Sequence, residues 1–551
     1  MVPTKTKYKN NFIHQVIKKD FKKNRKMHVK TRFPPDPNGY LHIGHAKSIC
    51  LNFDIAKIYL GICNLRFDDT NPNKEHSKYM DSIKNDIAWL GFKWNQDIKY
   101  TSMYFNIIYY YALELIKKKL AYVDQLTKEE IKQYRGTLTQ PGKNSPYRNQ
   151  TVQENMFLFK QMQLGKIPEG KACLRAKIDM KSSFMVMRDP VLYRIKFKEH
   201  HHTKKLWCIY PTYDFSHCIS DAIEGITHSL CTLEFQDNKQ LYNWILNHIS
   251  IHHRPTQYEY SRLNIEYSIL SKRKLQLLIQ QNIVQRWDDP RLLTISGLRR
   301  KGYTAQSIRN FCNNIGVTKQ NNLIEISALE ACIRDELNKT AHRTMAILDP
   351  IEVIIYNIPN NFEEKINILN HPNNIKMGTR DITFNNKIYI ERSDFQETPN
   401  KKYKRLTLGG SVKLKYAYNI TARYIKKDKN NNIIKIFCTC NLKNKNNKRK
   451  NGIIHWITKT QCVKSRFMIY NNLFNTKNPE NKKNLLPYIN KNSIIKKYGF
   501  VHHSVLNNKQ IQTYQFERIG YFYIDSILSK KNILTFNQTV SLKQNKKPSN
   551  T

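Results

Sequence analysis

Residues 28–33, HVKTRF, set Val29, Thr31 and Phe33 against polar neighbours, the period-two pattern of a strand. A Pro/Gly-punctuated turn follows, PPDPNGY at 34–40. The next stretch, LHIGHAKSICLNFDIAKIYL, spaces Ile49, Phe53, Ala56 and Leu60 three or four apart, which predicts a helix. CNLRFDD at 63–69 alternates again, with Cys63, Leu65 and Phe67 on one face. Strand, turn, helix and strand over 28–69 make a βαβ unit of a parallel sheet. LWCIYPTYDF at 206–215 and TQYEYSRLNI at 256–265 read as two further strands, so the pattern predicts a doubly wound sheet interrupted by an insertion near 100–210. Ahead of it, residues 1–26 form a basic lead in which 11–21 are weakly helical. Residues 266–345 carry helical spacing, as in GLRRKGYTAQSIRNFCNNIGV and ISALEACIRDELNKTAHRTMAIL. Beyond 346, short alternating runs such as IEVIIYNI, FNNKIYIE, GSVKLKYAYNITARYI and IIKIFCTC predict β-barrels or sandwiches. Lys/Asn-rich segments at 426–432, 443–451 and 474–484 read as solvated loops, and no repeat of 20–50 residues occurs.

The length of 551 residues suggests about three or four domains. Hydrophobic residues make up 40%, enough for sizeable cores, which argues against a wholly disordered polybasic chain. No apolar run approaches the ~20 residues of a membrane span, and the Lys-rich first 25 residues hold no apolar signal segment. The 11 cysteines are scattered without a C-x-x-C pair, the usage of a reduced, cytoplasmic protein. The pairs His252–His253 and His502–His503 and the run His200–His202 have no companion cysteine or acidic residue at ligand spacing, so no protein-bound metal is expected. Lys+Arg number 92 against 43 Asp+Glu, a net charge of +49 that points to a polyanionic partner. Part of that excess belongs to a Lys/Asn/Ile/Tyr bias spread over the whole chain, and charge alone does not separate RNA from DNA or an acidic surface.

Two motifs carry candidate chemistry. His42-Ile43-Gly44-His45 opens a helix after a strand and a turn, which sets two imidazoles on one face of a first turn with unpaired N–H groups. Gly44 allows a nucleotide to approach the backbone closely. Leu270-Ser271-Lys272-Arg273-Lys274 follows the strand-like 256–265 and forms a basic loop able to close over a triphosphate, with Lys272 as a mobile point charge. Each motif alone is as easily an ordinary helix start or a solvated basic turn.

Together the two resemble the HIGH and KMSKS signatures of class I aminoacyl-tRNA synthetases. The resemblance narrows to the glutaminyl-tRNA synthetases through TRFPPDPNGYLHIGHAKSICLNF at 31–53, NLRFDDTNP at 64–72, YRGTLTQPGKNSPYR at 134–148 and KACLRAKIDM at 171–180. It continues in CIYPTYDFSHCISDAIEGITHSLCTLEFQDN at 208–238, WDDPRLLTISGLRR at 287–300 and YQFERIGYF at 514–522, and covers residues 11–545. The resemblance implies a multidomain α/β plus β architecture. Its parts are a basic lead (1–26), a Rossmann-like catalytic domain in two halves (27–100 and 211–265), an inserted acceptor-stem domain (101–210), a helical subdomain with the SKRK loop (266–345), two anticodon-binding β-barrels (346–545) and a tail (546–551).

It also implies the chemistry. Glutamine attacks the α-phosphate of ATP, and the glutaminyl group then passes to the 2′-hydroxyl of the terminal adenosine of tRNA-Gln. Such a reaction rests on positioning and electrostatics, with Mg²⁺ accompanying ATP. By resemblance, His42, His45 and Lys272 are catalytic, and ATP also meets Asp36, Pro37, Asn38, Gly44, Ala46, Thr232, Arg262, Leu263, Leu270 and Ser271. Glutamine is assigned to Asp68 for its α-amino group and Tyr213 for its amide, with Arg32, His217, Cys231 and Gln257 nearby. A carboxamide must both donate and accept, which suits a neutral hydroxyl. tRNA is assigned to Leu138 as an apolar wedge, Asp237 as a minor-groove reader, Lys319, and the anticodon candidates Arg343, Lys402, Arg405, Gln515 and Arg518. A monomer is expected.

The chain departs from the family pattern at five positions. Asp36 stands where Glu is usual, Leu270 where Met is usual, and Lys402 where Gln is usual, while Lys413 and Lys415 stand where Arg is common. A glutamyl-tRNA synthetase, a relaxed enzyme charging either amino acid, and an inactive tRNA-binding protein are the alternative readings. The intact HIGH and SKRK elements oppose the last.

Overall fold

The computed structural model describes residues 11–23, 27–73, 77–94, 97–400, 402–442, 452–507, 510–531 and 533–543. Most of the basic lead before residue 11, the Lys/Asn-rich 443–451 and the tail 546–551 lie outside the described residues. The chain divides into two compact units, Met1–Asn264 with Arg309–Ile324, and Ile265–Ile308 with Glu325–Thr551.

In the first unit, β1 (Lys30–Phe33), β2 (Ile62–Phe67) and β3 (Lys99–Tyr100) form a parallel sheet in sequential order. Helix α1 (Phe12–Lys23) precedes it, α2 (Ile43–Ile58) crosses from β1 to β2, and α3 (Ser77–Trp89) crosses from β2 to β3. The inserted region opens with α4 (Phe105–Lys117). An antiparallel sheet follows, of β4 (Ala121–Asp124), β5 (Cys173–Ala176), β6 (Val191–Ile195) and β7 (Ile209–Pro211). Its long β4–β5 connection carries α5 (Lys128–Arg135) and α6 (Val152–Gln163). The chain returns through α7 (Tyr213–Ile223), β8 (His228–Thr232), α8 (Asn238–His248) and β9 (Thr256–Tyr260), with β8 and β9 parallel. β8 lies beside β1, where the Thr227 amide donates to the Lys30 carbonyl at 2.9 Å. The order β3–β2–β1–β8–β9 therefore reverses direction at β1, and open α/β sheets bind ligands at the carboxyl ends flanking such a point.

Three features differ from the sequence pattern. The alternation at 206–215 is not a strand of the parallel sheet: only Ile209–Pro211 is extended, and it pairs with β6. Thr212 (φ −75°, ψ 159°) then starts α7, whose buried Phe215, Cys218, Ile219 and Ala222 keep helical spacing. The strand beside β1 is the later HSLCT, which alternation does not reveal because a strand buried on both faces shows none. Leu60 is not on the buried face of α2; it lies past the helix end at φ 53° and is 80% exposed. Finally, the expected helical subdomain 266–345 is divided, because 309–324 belongs to the first unit. There Ser261 donates its amide to Thr318 at 2.7 Å, and the Arg309 guanidinium lies 5.8 Å over the Phe92 ring. α1 is also more than a lead: its Ile13 and Ile17 pack with Val29, Leu51, Ile55, Leu230 and Tyr260. Burying two such side chains contributes about 1.5–3 kcal/mol each.

One buried polar network joins β1, β2 and α7. Arg32 donates to Asp221 (3.1 Å), the Leu230 carbonyl (2.7 Å) and Ser229 (2.8 Å). Arg66 donates to Asp221 (2.7 Å) and Glu224 (2.9 Å), and Asn64 donates to Glu224 at 2.6 Å. Ser229 and Tyr242 donate to the other oxygen of Asp221. Two guanidinium charges thus meet two carboxylates away from water, which holds the Asp221 carboxyl well below the usual carboxylate range despite burial. The apolar core of the inserted sheet runs without a break into α7 and α8 through Tyr193, Tyr210, Phe215, Leu241 and Ile245.

The second unit holds two seven-stranded sheets. In one, the edge strands are Ile453–Ile454 and Trp456–Thr458, separated in sequence by His455 alone. In the other they are His342–Thr344 and Ala346–Ile347, separated by Met345 alone. A sheet whose two edges are neighbours in the chain must curl almost closed, so both are nearly closed barrels, filled by Val353, Ile390, Ile420 and Trp456 in one and Phe467, Phe516, Phe522 and Phe536 in the other.

Removing one member of a buried ion network leaves an uncompensated charge. Asp221→Asn should destabilise the first unit by about 3–5 kcal/mol, whereas the exposed Asp237→Asn should stay within about 0.5 kcal/mol. Denaturant unfolding of both variants checks this; equal midpoints would refute the role given to Asp221.

Candidate active site

His42 is the N-cap of α2 (φ −125°, ψ 174°). Its Nδ1 accepts from the Gly44 amide at 3.1 Å, and the His45 Nδ1 accepts from the His42 amide at 3.1 Å. The two imidazoles therefore form a reciprocal capping box, with ring centroids 3.8 Å apart. An accepting Nδ1 leaves the proton on Nε2, so both neutral rings are Nε2–H donors at a positive helix end. Ala46 is buried in the next position. In the preceding turn the Asn38 amide donates to the Asp36 carbonyl at 2.8 Å, and the Asn38 side chain bonds the Asp36 carboxylate.

Asp68 follows β2 at the carboxyl edge of the sheet, its amide bonded to the Pro35 carbonyl at 3.1 Å. Burial, then the neighbouring Asp36 carboxylate, push the Asp68 carboxyl up to about 7 against a hydrogen bond from Thr70. Tyr213, at the start of α7, stacks on His217 at 4.7 Å and lies 5.3 Å from Phe235. Its phenol is raised well above its usual range by burial, with Arg32, Asp68 and Cys231 in electrostatic reach. Burial and the two guanidiniums of Arg32 and Arg66 push His217 down to about 3, so it is neutral at physiological pH. Cys231 is a thiol, pushed up to about 12 chiefly by burial.

Arg32 is 1% exposed. Four of its five N–H donors are taken by Asp221, Leu230, His217 and Ser229. One of these contacts, 2.7 Å to His217 Nε2, braces the ring on which Tyr213 stacks. Gln257 is likewise committed: its Nε2 donates to the Phe235 carbonyl at 3.0 Å and to Glu259 at 3.1 Å. At the ends of β8 and β9, Thr232 bonds Glu234 (3.4 Å), Glu234 pairs with Arg262 (2.9 Å), and Leu263 is buried.

Leu138 is 82% exposed on the loop after α5. That loop is braced from behind by the buried Arg188, which donates to the carbonyls of Arg135 (2.9 Å), Thr137 (2.8 Å), Gln140 (2.8 Å) and Ser182 (2.7 Å). An apolar side chain is thus presented on rigid backbone, a role for Arg188 that no local pattern announces. Asp237 is exposed at the head of α8, with no side-chain cap bond. Lys319 sits 5.3 Å over the Phe12 ring.

In the second unit, Ser271 stands at the N-cap position of α9 (Lys272–Gln280) without a side-chain cap bond, placing Lys272 in the first turn. The segment 474–484 is not merely a solvated loop. Glu480 accepts from the Leu270 amide at 2.9 Å, the Lys482 carbonyl accepts from Lys274 at 3.1 Å, and the Lys477 carbonyl accepts from the Tyr267 amide at 2.8 Å. Phe474 and Leu473 share a core with Ile269, Leu275 and Leu278. The SKRK stretch is therefore fastened to the second barrel.

Arg405 and Arg518 grip the buried Asp394 together, Arg518 with both oxygens at 2.6 and 2.8 Å and Arg405 at 2.6 Å. With Lys402, Tyr403, Lys404, Gly452 and Ile453 they line a cleft of about 580 Å³. Arg343 and Gln515 are register partners on adjacent strands. The Gln515 Oε1 is buried with no hydrogen-bond partner among the described residues. Lys415 pairs with Glu517 and is lowered to about 8 by burial and by Arg343, Arg380 and Arg518. Lys413 pairs along the sheet with Ile453.

Comparison with known proteins separates the catalytic region from the two barrels. The family model for tRNA synthetases class I (E and Q), catalytic domain, matches residues 28–339. Two models for the anti-codon binding domain of these synthetases match residues 341–441 and 453–525. The chain is 61% identical to the glutamine–tRNA ligase of Buchnera aphidicola subsp. Schizaphis graminum, over 97% of both chains. It is 60% identical to that of Buchnera aphidicola subsp. Acyrthosiphon pisum, over 97% of this chain and 96% of the relative. It is 56% identical to that of Pectobacterium atrosepticum, over 97% and 98%. With a carboxyl-edge site on a doubly wound sheet, paired imidazoles at the head of α2 and two following barrels, the chain belongs to the class I tRNA synthetases of the E and Q group.

Proposed function

We propose that this synthetase is a glutamine–tRNA ligase, acting as a cytoplasmic monomer on glutamine, ATP with Mg²⁺, and tRNA-Gln. The observation that carries the reading is the 61% identity to a glutamine–tRNA ligase across 97% of both chains. The glutamine carboxylate attacks the α-phosphate, forming glutaminyl-adenylate and releasing pyrophosphate. The 2′-hydroxyl of the terminal adenosine then attacks the activated carbonyl, and AMP leaves. Charge grows on the phosphate oxygens in the first step. The Nε2–H groups of His42 and His45 at the α2 dipole and the Lys272 ammonium are the donors assigned to it. ATP is assigned the turn at Asp36, Pro37 and Asn38, the close approach over Gly44 and Ala46, and the Thr232, Arg262, Leu263, Leu270 and Ser271 edges.

The amino-acid pocket supports the amide over the acid. Its lining groups are a neutral phenol on Tyr213, a neutral His217 behind it and a neutral Cys231 thiol. A glutamate carboxylate would need a cation, and Arg32 is already bound to Asp221. Binding the amide to Tyr213 and the α-ammonium to Asp68 leaves the α-carboxylate for the attack on ATP. On the tRNA side, Leu138 is the wedge and Asp237 the minor-groove reader. Lys319 is assigned a phosphate, and Arg343, Lys402, Arg405, Gln515 and Arg518 the anticodon.

Charging assays with tRNA-Gln and tRNA-Glu, each offered both amino acids, test the function. Glutamine on tRNA-Gln should exceed every other combination by at least about 10³-fold, since a site built on specific hydrogen bonds rejects its near-isosteres strongly. Comparable glutamate transfer would favour a relaxed enzyme.

The Asp68 site generates a pH dependence. A substrate ammonium favours the carboxylate form, and the free carboxyl sits near 7. Glutamine binding should therefore be weak below pH 7, strengthen as pH rises through it, and level off above about 8. Asp68→Asn should raise the KM for glutamine by about tenfold or more and flatten that profile. A variant that kept the wild-type slope would remove Asp68 from the amino-group site.

A further inference from the structure

The run His200–His202 takes no part in the chemistry above. It forms a turn closed by His200 and Lys204, whose backbones exchange hydrogen bonds at 3.0 and 2.9 Å. His200 Nε2 bonds the Asp69 carbonyl at 2.7 Å, which fastens the turn to the end of β2. Its Nδ1 accepts from the His202 and Thr203 amides, both at 3.1 Å, which fixes the turn's shape. His201 and His202 are thereby held beside the Asp69 carboxylate. His201 Nε2 is 3.4 Å from Asp69 Oδ2. One nitrogen of each histidine and one oxygen of Asp69 lie within 4.8 Å of one another. Ser102 stands between them: its hydroxyl donates to Asp69 Oδ2 at 2.7 Å and lies 3.3 Å from His202 Nδ1.

The carboxylate itself is unusual for this chain. Asp69 is fully buried, yet among the described residues it has no arginine or lysine partner. In the same unit the buried carboxylates Asp124, Asp189 and Asp221 are each paired with an arginine. A buried carboxylate is costly unless a cation faces it, and a divalent ion held between the carboxylate and the two imidazoles would supply one. The 3.4 Å separation of Asp69 Oδ2 and His201 Nε2 is close to the edge of a tetrahedron with metal–ligand bonds of about 2.0–2.1 Å. Two imidazoles and one carboxylate suit zinc or a neighbouring first-row ion rather than calcium or magnesium.

We propose that Asp69, His201 and His202 form a divalent transition-metal site, taking zinc, with water or the Ser102 hydroxyl as a further ligand. The ion would pin the residues directly after β2, Asp68 among them, to the turn after β6. Its ligands come from segments more than a hundred residues apart, so spacing within the histidine run alone does not show it.

The test uses tag-free full-length protein stripped with a chelator and titrated with Co²⁺, then Zn²⁺. One equivalent of Co²⁺ should bind with visible d–d absorption, and Zn²⁺ should displace it and raise the thermal midpoint. His201→Ala and His202→Ala should each weaken binding by about tenfold or more, a loss typical of disrupted metal sites. His252→Ala, in a histidine pair away from the cluster, should leave it unchanged. His202 is exposed, so its variant tests the site without threatening the fold. Absence of saturable one-to-one binding would overturn the proposal. So would binding that survives both His201→Ala and His202→Ala, because the ion would then sit elsewhere. The titration needs no tRNA, so its failure leaves the ligase reading untouched.

Discussion

The first unit depends on one buried electrostatic arrangement, the two arginines of β1 and β2 against Asp221 on α7 and Glu224 at its C-cap. Arg32 and Arg66 would be ruinous alone at 1% exposure. Asp221 and Glu224, one helical turn apart, neutralise them and lock α7 against the sheet. That lock sets the position of Tyr213 and His217 on the same helix. Burial and the two guanidiniums keep His217 neutral, so beside Asp68 the carboxyl edge carries hydroxyl, thiol and imidazole. The polarity of the proposed amino-acid site is thus a consequence of how the sheet is held together.

Much of this was legible in the residues. The βαβ pattern over 28–69, the paired histidines at a helix start and the short alternating runs after 346 all reflect local periodicity and local caps. What stayed hidden depends on contacts between distant segments. HSLCT gives no alternation because β8 is covered on both faces. Arg32 reads as a substrate contact in TRFPP, and its bond to Asp221, 189 residues on, has no local signature in the sequence. Arg188 braces Leu138 across about fifty residues through backbone carbonyls, which carry no side-chain signature at all. Asp69 and the histidine run are separated in the same way.

The net charge of +49 divides accordingly. Some of its arginines are structural, held by buried carboxylates, as Arg405 and Arg518 are by Asp394. Such residues are oriented rather than diffuse, because the buried carboxylate fixes their guanidiniums on the barrel. Exposed lysines, such as those outside the buried clusters, supply phosphate attraction that is indifferent to sequence.

The central claim is that the pocket recognises its substrate through Asp68 and Tyr213 while Arg32 stays bound to Asp221. The direct measurement is a crystal structure with a non-hydrolysable sulfamoyl analogue of glutaminyl-adenylate. The account predicts the α-ammonium on Asp68, the carboxamide on the Tyr213 hydroxyl, and the Arg32 contacts to Asp221, Leu230 and Ser229 unchanged from 3.1, 2.7 and 2.8 Å. An Arg32 guanidinium that had left Asp221 to bind the ligand's side chain would contradict it.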